Sequence, residues 1–232
     1  MTKLAKLLVG AALAAASTAV PAAAQVAGIA TTSPEVVIAR AAARNTAYQQ
    51  IGTTYGTQIT QIGTLRQEIQ TLIRSLDTNN DQQLSDAERT AKPTVVTQVQ
   101  QKEQQLNTLA TPITIAQAYA LDQLAREYDA ARQQVVTAKR IQIMLAPDAI
   151  QWAPPAVDVT NDIVAALNTR KPTVTTAVPA GWQPSREILQ LQQSIQQLLL
   201  AAAQQQAATV QQAQPGATPP AAQPQPPRPT GR

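Results

Sequence analysis

The chain has 232 residues with neither Cys nor His, and its 18 Lys and Arg against 14 Asp and Glu give a formal net charge of +4. The missing residue types exclude disulfides, thiol chemistry, histidine acid–base catalysis and zinc sites of the usual kind. Aromatic residues make up 3% of the chain and basic residues form no run of five, so neither a deep aromatic core nor nucleic-acid binding is expected.

The first 24 residues have the features of a secretory signal peptide. Lys3 and Lys6 precede an apolar segment at 7–20, and alanines at 22–24 form a small-residue cleavage site. We therefore expect cleavage after Ala24 and, in a bacterium, export to the periplasm. Loss of the two lysines lowers the net charge by two. No later segment has the length and apolar character of a membrane span, so stable membrane insertion is not expected.

The mature chain opens with a short apolar segment, 26–32, which predicts a β-strand. Ser33 and Pro34 follow as an N-cap and a first helical residue, and a long helix is predicted over 35–76. Its glycines, at 52, 56 and 63, predict some bending. Apolar residues recur in this helix every three or four positions as a heptad-like seam. The seam consists of Ile51, Tyr55, Ile59, Ile62, Leu65, Ile69, Leu72 and Leu76.

A second long helix is predicted over 85–139, with an interruption at Pro112, and a polar loop separates it from the first. Two long helices joined by a short loop form an antiparallel hairpin. Since neither helix has an apolar face wide enough for a globular core, we expect the pair to project as an arm. Long helices without a full core need partners, which favours an oligomer.

The residues after the arm predict a small β body. Alternating apolar residues predict a β-hairpin over 141–152, and a short helix is predicted over 160–168. The predicted fold class is thus mostly α with a small β body (α+β). Beyond the body we expect a linker at 169–184, an extra helix at 185–212 and a disordered, proline-rich tail at 213–232.

This order of elements resembles the Skp (OmpH-like) family of periplasmic chaperones for outer-membrane proteins. The resemblance spans residues 25–168, and it is carried by residues 29–42, by Tyr-Gln-Gln-Ile at 48–51 and by residues 140–168. It implies a homotrimer whose strands form a central body. Three helical arms would then enclose a cavity for unfolded outer-membrane proteins.

The seam of the arm bears on how such a client would be held. Aliphatic side chains without aromatic anchors give weak and unselective contacts. These suit a holdase that releases its client without ATP, and the sequence has no glycine-rich phosphate-binding loop. We expect most of the seam to hold the arm together, with client contact left to exposed Ile, Leu and Tyr residues.

The loop between the arm helices has the spacing of an EF-hand calcium loop. Oxygen-bearing residues fall on positions 1, 3, 5, 7, 9 and 12, with Leu84 at the apolar position 8. Position 6, usually Gly, is Gln82, which costs about 1 kcal/mol in a left-handed turn. A capping box explains part of the same pattern, so a loop that binds no calcium is the alternative. The candidate ligands are Asp77, Asn79, Asp81, Gln83, Ser85 and Glu88.

Two functions therefore compete. The first is a periplasmic, ATP-independent holdase that needs no cofactor, binds unfolded outer-membrane proteins and aids their delivery for membrane assembly. The second is a calcium-responsive structural or interaction protein of the cell envelope, with the EF-hand-like loop at the arm tip. An enzyme is not expected, because Asp122, Glu127 and Asp129 are spaced so that at most two share a helix face.

Overall fold

The computed structural model describes residues 28–212, so the predicted signal peptide, the start of the predicted strand and the proline-rich tail lie outside the described residues. The described part is mostly helical with one small sheet, which confirms the predicted fold class. Its elements are β1 (Ile29–Thr31), α1 (Pro34–Arg40), α2 (Ala42–Thr54), α3 (Gly56–Leu76), α4 (Asp86–Ala91), α5 (Pro93–Lys139), β2 (Ile143–Leu145), α6 (Thr160–Arg170) and α7 (Arg186–Gln212).

The segment that the sequence predicted as one continuous helix, 35–76, is three helices, α1, α2 and α3. The chain leaves the helix at Ala41, where ψ is 129°, and the Ala42 N–H donates to Asn168 Oδ1 of α6 at 2.8 Å. Asn168 lies 126 residues away, so no local signal marks this break. The second break is at Tyr55, where ψ is 20°, next to Gly56. The glycines had predicted a bend there.

The arm itself is the antiparallel pair α3 and α5, joined through residues 77–92. We call residues 77–88, which include the start of α4, the tip loop. α5 is unbroken for 47 residues, about 70 Å at 1.5 Å per residue, so the predicted interruption at Pro112 is wrong. Proline removes one backbone hydrogen bond from a helix. The α5 helix continues through Pro112 because it is long on both sides of the proline and packs against α2 and α3. The second arm helix also starts later than predicted, since Lys92 separates the short α4 from α5.

The predicted β-hairpin over 141–152 is wrong. β2 pairs with β1 instead, in parallel register, with Ile29 opposite Ile143. Residues 147–149 and 155–157 form single 3-10 turns. The alternating pattern does mark a strand, but the partner strand lies 114 residues earlier in the chain. The prediction placed the second strand at 149–152, but Ala149 ends a 3-10 turn and residues 150–152 form no strand.

The core lies at the base of the arm, where α1, α5, α6 and α7 meet. In contrast, no α5 residue between 93 and 115 is buried. None of the helices within residues 28–212 has the length and apolar character needed to cross a bilayer. The base is therefore a small globular core, and the outer arm is a thin two-helix projection. The largest fully buried side chains of the core are Val37, Ile38, Leu121, Leu124, Ile163, Leu167 and Ile195.

The chain after α6, residues 171–212, forms a C-terminal extension that packs along α5. The Gln123 amide pairs with the backbone of Thr175 in both directions: Nε2 donates to the carbonyl at 2.9 Å, and Oε1 accepts from the N–H at 3.1 Å. Trp182 packs edge-on against Tyr119, with ring centroids 4.9 Å apart. Ile195 of α7 then enters the core, whereas residues 199–210 of that helix are exposed. The C-terminal extension therefore adds a further packed layer to the core at the base of the arm.

Candidate functional site

An open groove of about 770 Å³ lies between α3 and α5 at mid-arm. Its walls are mostly Gln and Thr side chains, with Leu65 and Leu109 as its large apolar residues. Both leucines are half-buried, so part of each remains accessible. A salt bridge between Lys102 Nζ and Glu68 Oε2, 2.7 Å long, connects the two helices at this level. The groove can therefore make weak and unselective contacts with an extended polypeptide.

The heptad-like seam of the first arm helix is only partly internal. Ile62, Ile69 and Leu76 of the seam are buried, whereas its Ile59 is exposed. Ile73 of α3, which lies outside the predicted seam, is exposed as well. The buried positions hold the arm together, because each side chain removed from water stabilises the helix pair. The exposed isoleucines extend the apolar surface of the arm beyond the groove.

A second apolar surface lies at the sheet. Trp152 is 83% exposed and Ile143 is 52% exposed, and Leu145 is exposed beside them. The outer edge of β2 pairs with no other strand within residues 28–212, whereas β1 is bridged on its other side by Asp158. We call Ile143, Leu145 and Trp152 the strand-edge surface. An open strand edge flanked by large apolar side chains is a template for pairing with another chain.

The tip loop is organised by its own side chains. Asp77 Oδ2 accepts a hydrogen bond from the Gln82 N–H at 2.9 Å. Asp81 has two roles, since its N–H donates to Asn79 Oδ1 at 3.1 Å and its Oδ1 accepts from the Gln83 N–H at 2.7 Å. The structure therefore links three of the six candidate ligands, Asn79, Asp81 and Gln83, to one another, while Asp77 is bonded to Gln82.

The two remaining candidate ligands form the capping box. Glu88 Oε2 accepts from the Ser85 N–H at 3.0 Å, and the Ser85 hydroxyl accepts from the Glu88 N–H at 3.3 Å. Glu88 Oε1 accepts from the N–H and the hydroxyl of Thr78 at 2.8 and 3.0 Å. The capping box expected from the sequence is thus present. In the part of the chain that the structure describes, no group of three or more acidic side chains is placed so that it could hold a metal ion.

These hydrogen bonds lower the pKa of Glu88 to about 2, with the Ser85 N–H as the largest cause, followed by the Ser85 hydroxyl and by Thr78. The folded pKa lies below the usual 4.5, so the stability that the capping box contributes is fully present above pH 4.5 and is lost as the pH falls through about 2. In calcium-free buffer, we expect NMR titration of the Glu88 carboxyl to give a midpoint of about 2, and a higher one in Ser85→Ala. Because the variant keeps the Ser85 N–H, equal midpoints would contradict only the contribution of the Ser85 hydroxyl to the lowered pKa.

The family model described as outer membrane protein (OmpH-like) matches residues 28–167, from β1 through the arm to α6. The match covers more than half of the chain. The chain belongs to the OmpH-like family. This confirms the resemblance drawn from the sequence, and membership supports a chaperone role for this OmpH-like protein.

The chain is similar to a solved structure of a candidate outer membrane chaperone (OmpH-like) from Caulobacter crescentus, with 20% identity and a TM-score of 0.42. The similarity covers 65% of this chain and 89% of that chain. No curated protein matches the chain. α7 and the segment before it follow the residues that the family model matches, so the C-terminal layer of this OmpH-like protein lies outside the matched region.

Sequence reasoning missed two features of this OmpH-like protein. Arg44 is buried at the base, and its guanidinium carbon lies 4.2 Å from the centroid of the Tyr48 ring. Burial raises the pKa of Tyr48, and the nearby positive charge of Arg44 opposes that rise. The i, i+4 spacing of the pair was the available signal. The second feature is the exposure of Trp152, which the hairpin interpretation had placed within a paired strand.

Proposed function

We propose that this protein is a periplasmic, ATP-independent holdase that binds unfolded outer-membrane proteins and aids their delivery for membrane assembly. The observation that carries the proposal is the division between a packed base and an outer arm whose α5 residues between 93 and 115 are all at least partly accessible. Membership of the OmpH-like family supports the chaperone role. A projecting arm with accessible sides supports binding along its length.

The chemistry of the groove favours transient binding. Gln and Thr side chains offer hydrogen bonds to any backbone, and the two leucines offer modest apolar area. Because no aromatic residue lines the groove, no single strong anchor is present there. A client held by many such contacts dissociates when a few are lost, which needs no nucleotide.

We propose further that the functional unit is a homotrimer assembled through the strand-edge surface. Pairing at the open edge of β2 would satisfy its backbone groups and cover Ile143 and Trp152, the most exposed side chains of that surface. Three arms would then project from one base around a shared cavity. Three grooves on one base raise the effective concentration of binding sites around an extended client, so that weak contacts in each groove are sufficient to hold it.

An aggregation assay tests the holdase proposal. A urea-denatured outer-membrane barrel is diluted into buffer with residues 25–232, without ATP, and turbidity is followed. We expect suppression of aggregation at about one trimer per client. An inert protein of similar mass controls for crowding. Turbidity unchanged from that control would contradict a holdase.

The groove itself is tested by replacing Leu65 and Leu109 together with Ser. We expect client binding to weaken roughly tenfold, since the two leucines together supply about 1.4 kcal/mol of apolar contact. Fluorescence anisotropy of a labelled, denatured barrel measures the affinity, and circular dichroism checks that the arm keeps its helix. The matched control is the Ser pair at Leu199 and Leu200, both exposed on α7. Equal weakening by the two pairs would place the client elsewhere.

A further inference from the structure

The groove between α3 and α5 offers hydrogen-bond donors of one kind. The hydroxyls of Thr60, Thr64 and Thr108 already donate to carbonyls of their own helices, at 3.1, 3.3 and 2.9 Å. The side-chain amides of the groove therefore supply the N–H groups that an occupant can use. An occupant that suits them has many carbonyl acceptors, few donors and some apolar area for Leu65 and Leu109. The amides belong to Gln61, Gln101, Gln104 and Gln105.

The proline-rich tail, residues 213–232, has this chemistry in its sequence. Seven of its residues are prolines, and each proline has a carbonyl but no backbone N–H. In a polyproline conformation the carbonyls make no internal hydrogen bonds, so they can accept from glutamine amides. The proline rings add apolar area that two half-buried leucines can contact. The prolines are Pro215, Pro219, Pro220, Pro224, Pro226, Pro227 and Pro229.

The charges of the tail also fit the groove. Residues 188–227 contain no charged side chain, and the charged residues of the tail are Arg228 and Arg232. Among the described residues that line the groove, only Glu68 is charged. Its side chain is 45% exposed in spite of the salt bridge to Lys102, so its carboxylate can also attract an arginine. An exposed pair of this kind adds little energy, but it favours a basic tail over an acidic one.

The tail is long enough to reach the groove. α7 lies against α5 where Gln192 Nε2 donates to Gln117 Oε1 at 3.3 Å. The middle of the groove, at Gln105, is about 18 Å farther along α5, and α7 extends about 30 Å beyond Gln192 to Gln212. With about 10 Å between packed helix axes, α7 ends within about 58 Å of the groove, whichever way it points. The 20 residues after Gln212 span about 62 Å as polyproline.

We propose that the proline-rich tail docks in the groove between α3 and α5 and competes there with the client. A tethered segment has an effective concentration of about 1 mM, so docking with a dissociation constant of that size fills the groove about half of the time. This occupancy lowers the apparent affinity for a client about twofold. The docking does not depend on the holdase function, whereas the competition rests on it.

A spin label on the tail tests the docking directly. Because the chain has no cysteine, Thr230→Cys provides a single attachment site in residues 25–232. We expect the label to broaden the NMR signals of the amides at 60–68 and 101–109 selectively. The matched control replaces residues 213–229 with a Gly-Ser sequence of equal length and keeps the label at position 230. This control has the same reach without the prolines and Arg228, and we expect no selective broadening in it.

Two NMR results would overturn the docking. One is equal broadening of the groove amides by the native and the Gly-Ser tails, because reach alone would then explain the contact. The other is selective broadening that survives the replacement of Leu65 and Leu109 together with Ser, because the tail would then bind elsewhere. The Ser pair at Leu199 and Leu200 should leave the broadening unchanged. Circular dichroism checks that each variant keeps its helix content.

Client affinity tests the competition. By fluorescence anisotropy of a labelled, denatured barrel, we expect the protein with the Gly-Ser tail to bind about twofold more tightly than the native protein. Equal affinities, together with selective broadening by the native tail, would overturn the competition and place the client outside the groove. Absence of client binding with either tail would contradict the holdase proposal, while the NMR result would still decide the docking.

Discussion

Truncating Leu121 to alanine is expected to lower the free energy of unfolding by about 2–5 kcal/mol. Leu121 lies on α5 at the base and is 0% exposed, in the core that α5 shares with α1, α6 and α7. The truncation removes apolar contact and leaves a cavity in a closely packed region, and both effects destabilise the fold. Urea denaturation followed by circular dichroism, at fixed protein concentration, measures the difference.

Leu109→Ala is the matched control, because it makes the same chemical change on the same helix. Leu109 is half-buried in the outer arm, where no α5 residue is fully enclosed. Its truncation leaves a site open to water, so no closed cavity forms, and we expect a cost of about 1 kcal/mol. Similar losses at the two positions would show that stability is spread along the arm. The proposed division between a packed base and a thin outer arm would then be wrong.

The parts of the fold that could be predicted are those that local sequence determines. The three- and four-residue spacing of apolar side chains defines α3 and α5, and the Ser85–Glu88 pair marks the start of α4. What could not be predicted depends on distant partners. The helix break at Ala41 is stabilised by Asn168, which accepts a hydrogen bond from the Ala42 N–H. The strand 143–145 pairs with β1, although the whole arm lies between the two strands in the sequence.

The candidate binding surfaces also divide into those that local sequence determines and those that depend on distant residues. The tip loop is a local feature, and its side-chain hydrogen bonds lie within a few residues of one another. The groove and the strand-edge surface depend on which side of each helix or strand a distant element covers. Leu65 belongs to the predicted seam, yet only packing against α5 shows that part of it remains accessible. Likewise, Trp152 is exposed because β2 pairs with the distant β1 and not with the segment that contains Trp152. The residues next to Trp152 in the sequence do not indicate that pairing.

Replacing Ile143 by Asp is expected to convert the proposed trimer into monomers. Ile143 is 52% exposed in the single chain and its strand is held to β1 through the backbone, so an outward carboxylate leaves the subunit folded. In the assembly the same carboxylate would be buried in an apolar interface, where an unpaired charge is strongly unfavourable. Light scattering of residues 25–232 should give about three times the monomer mass for the parent and the monomer mass for the variant.

Val210→Asp controls for the added charge, because Val210 is exposed on α7, away from the strand-edge surface in the sequence. We expect this variant to keep the mass of the parent protein. A parent protein that is itself monomeric would contradict the trimer. If the Ile143→Asp monomer keeps its helix content but no longer suppresses aggregation, the weak grooves depend on being combined on one base. If the monomer suppresses aggregation as well as the parent, a single arm is sufficient and the shared cavity is not required for holding a client.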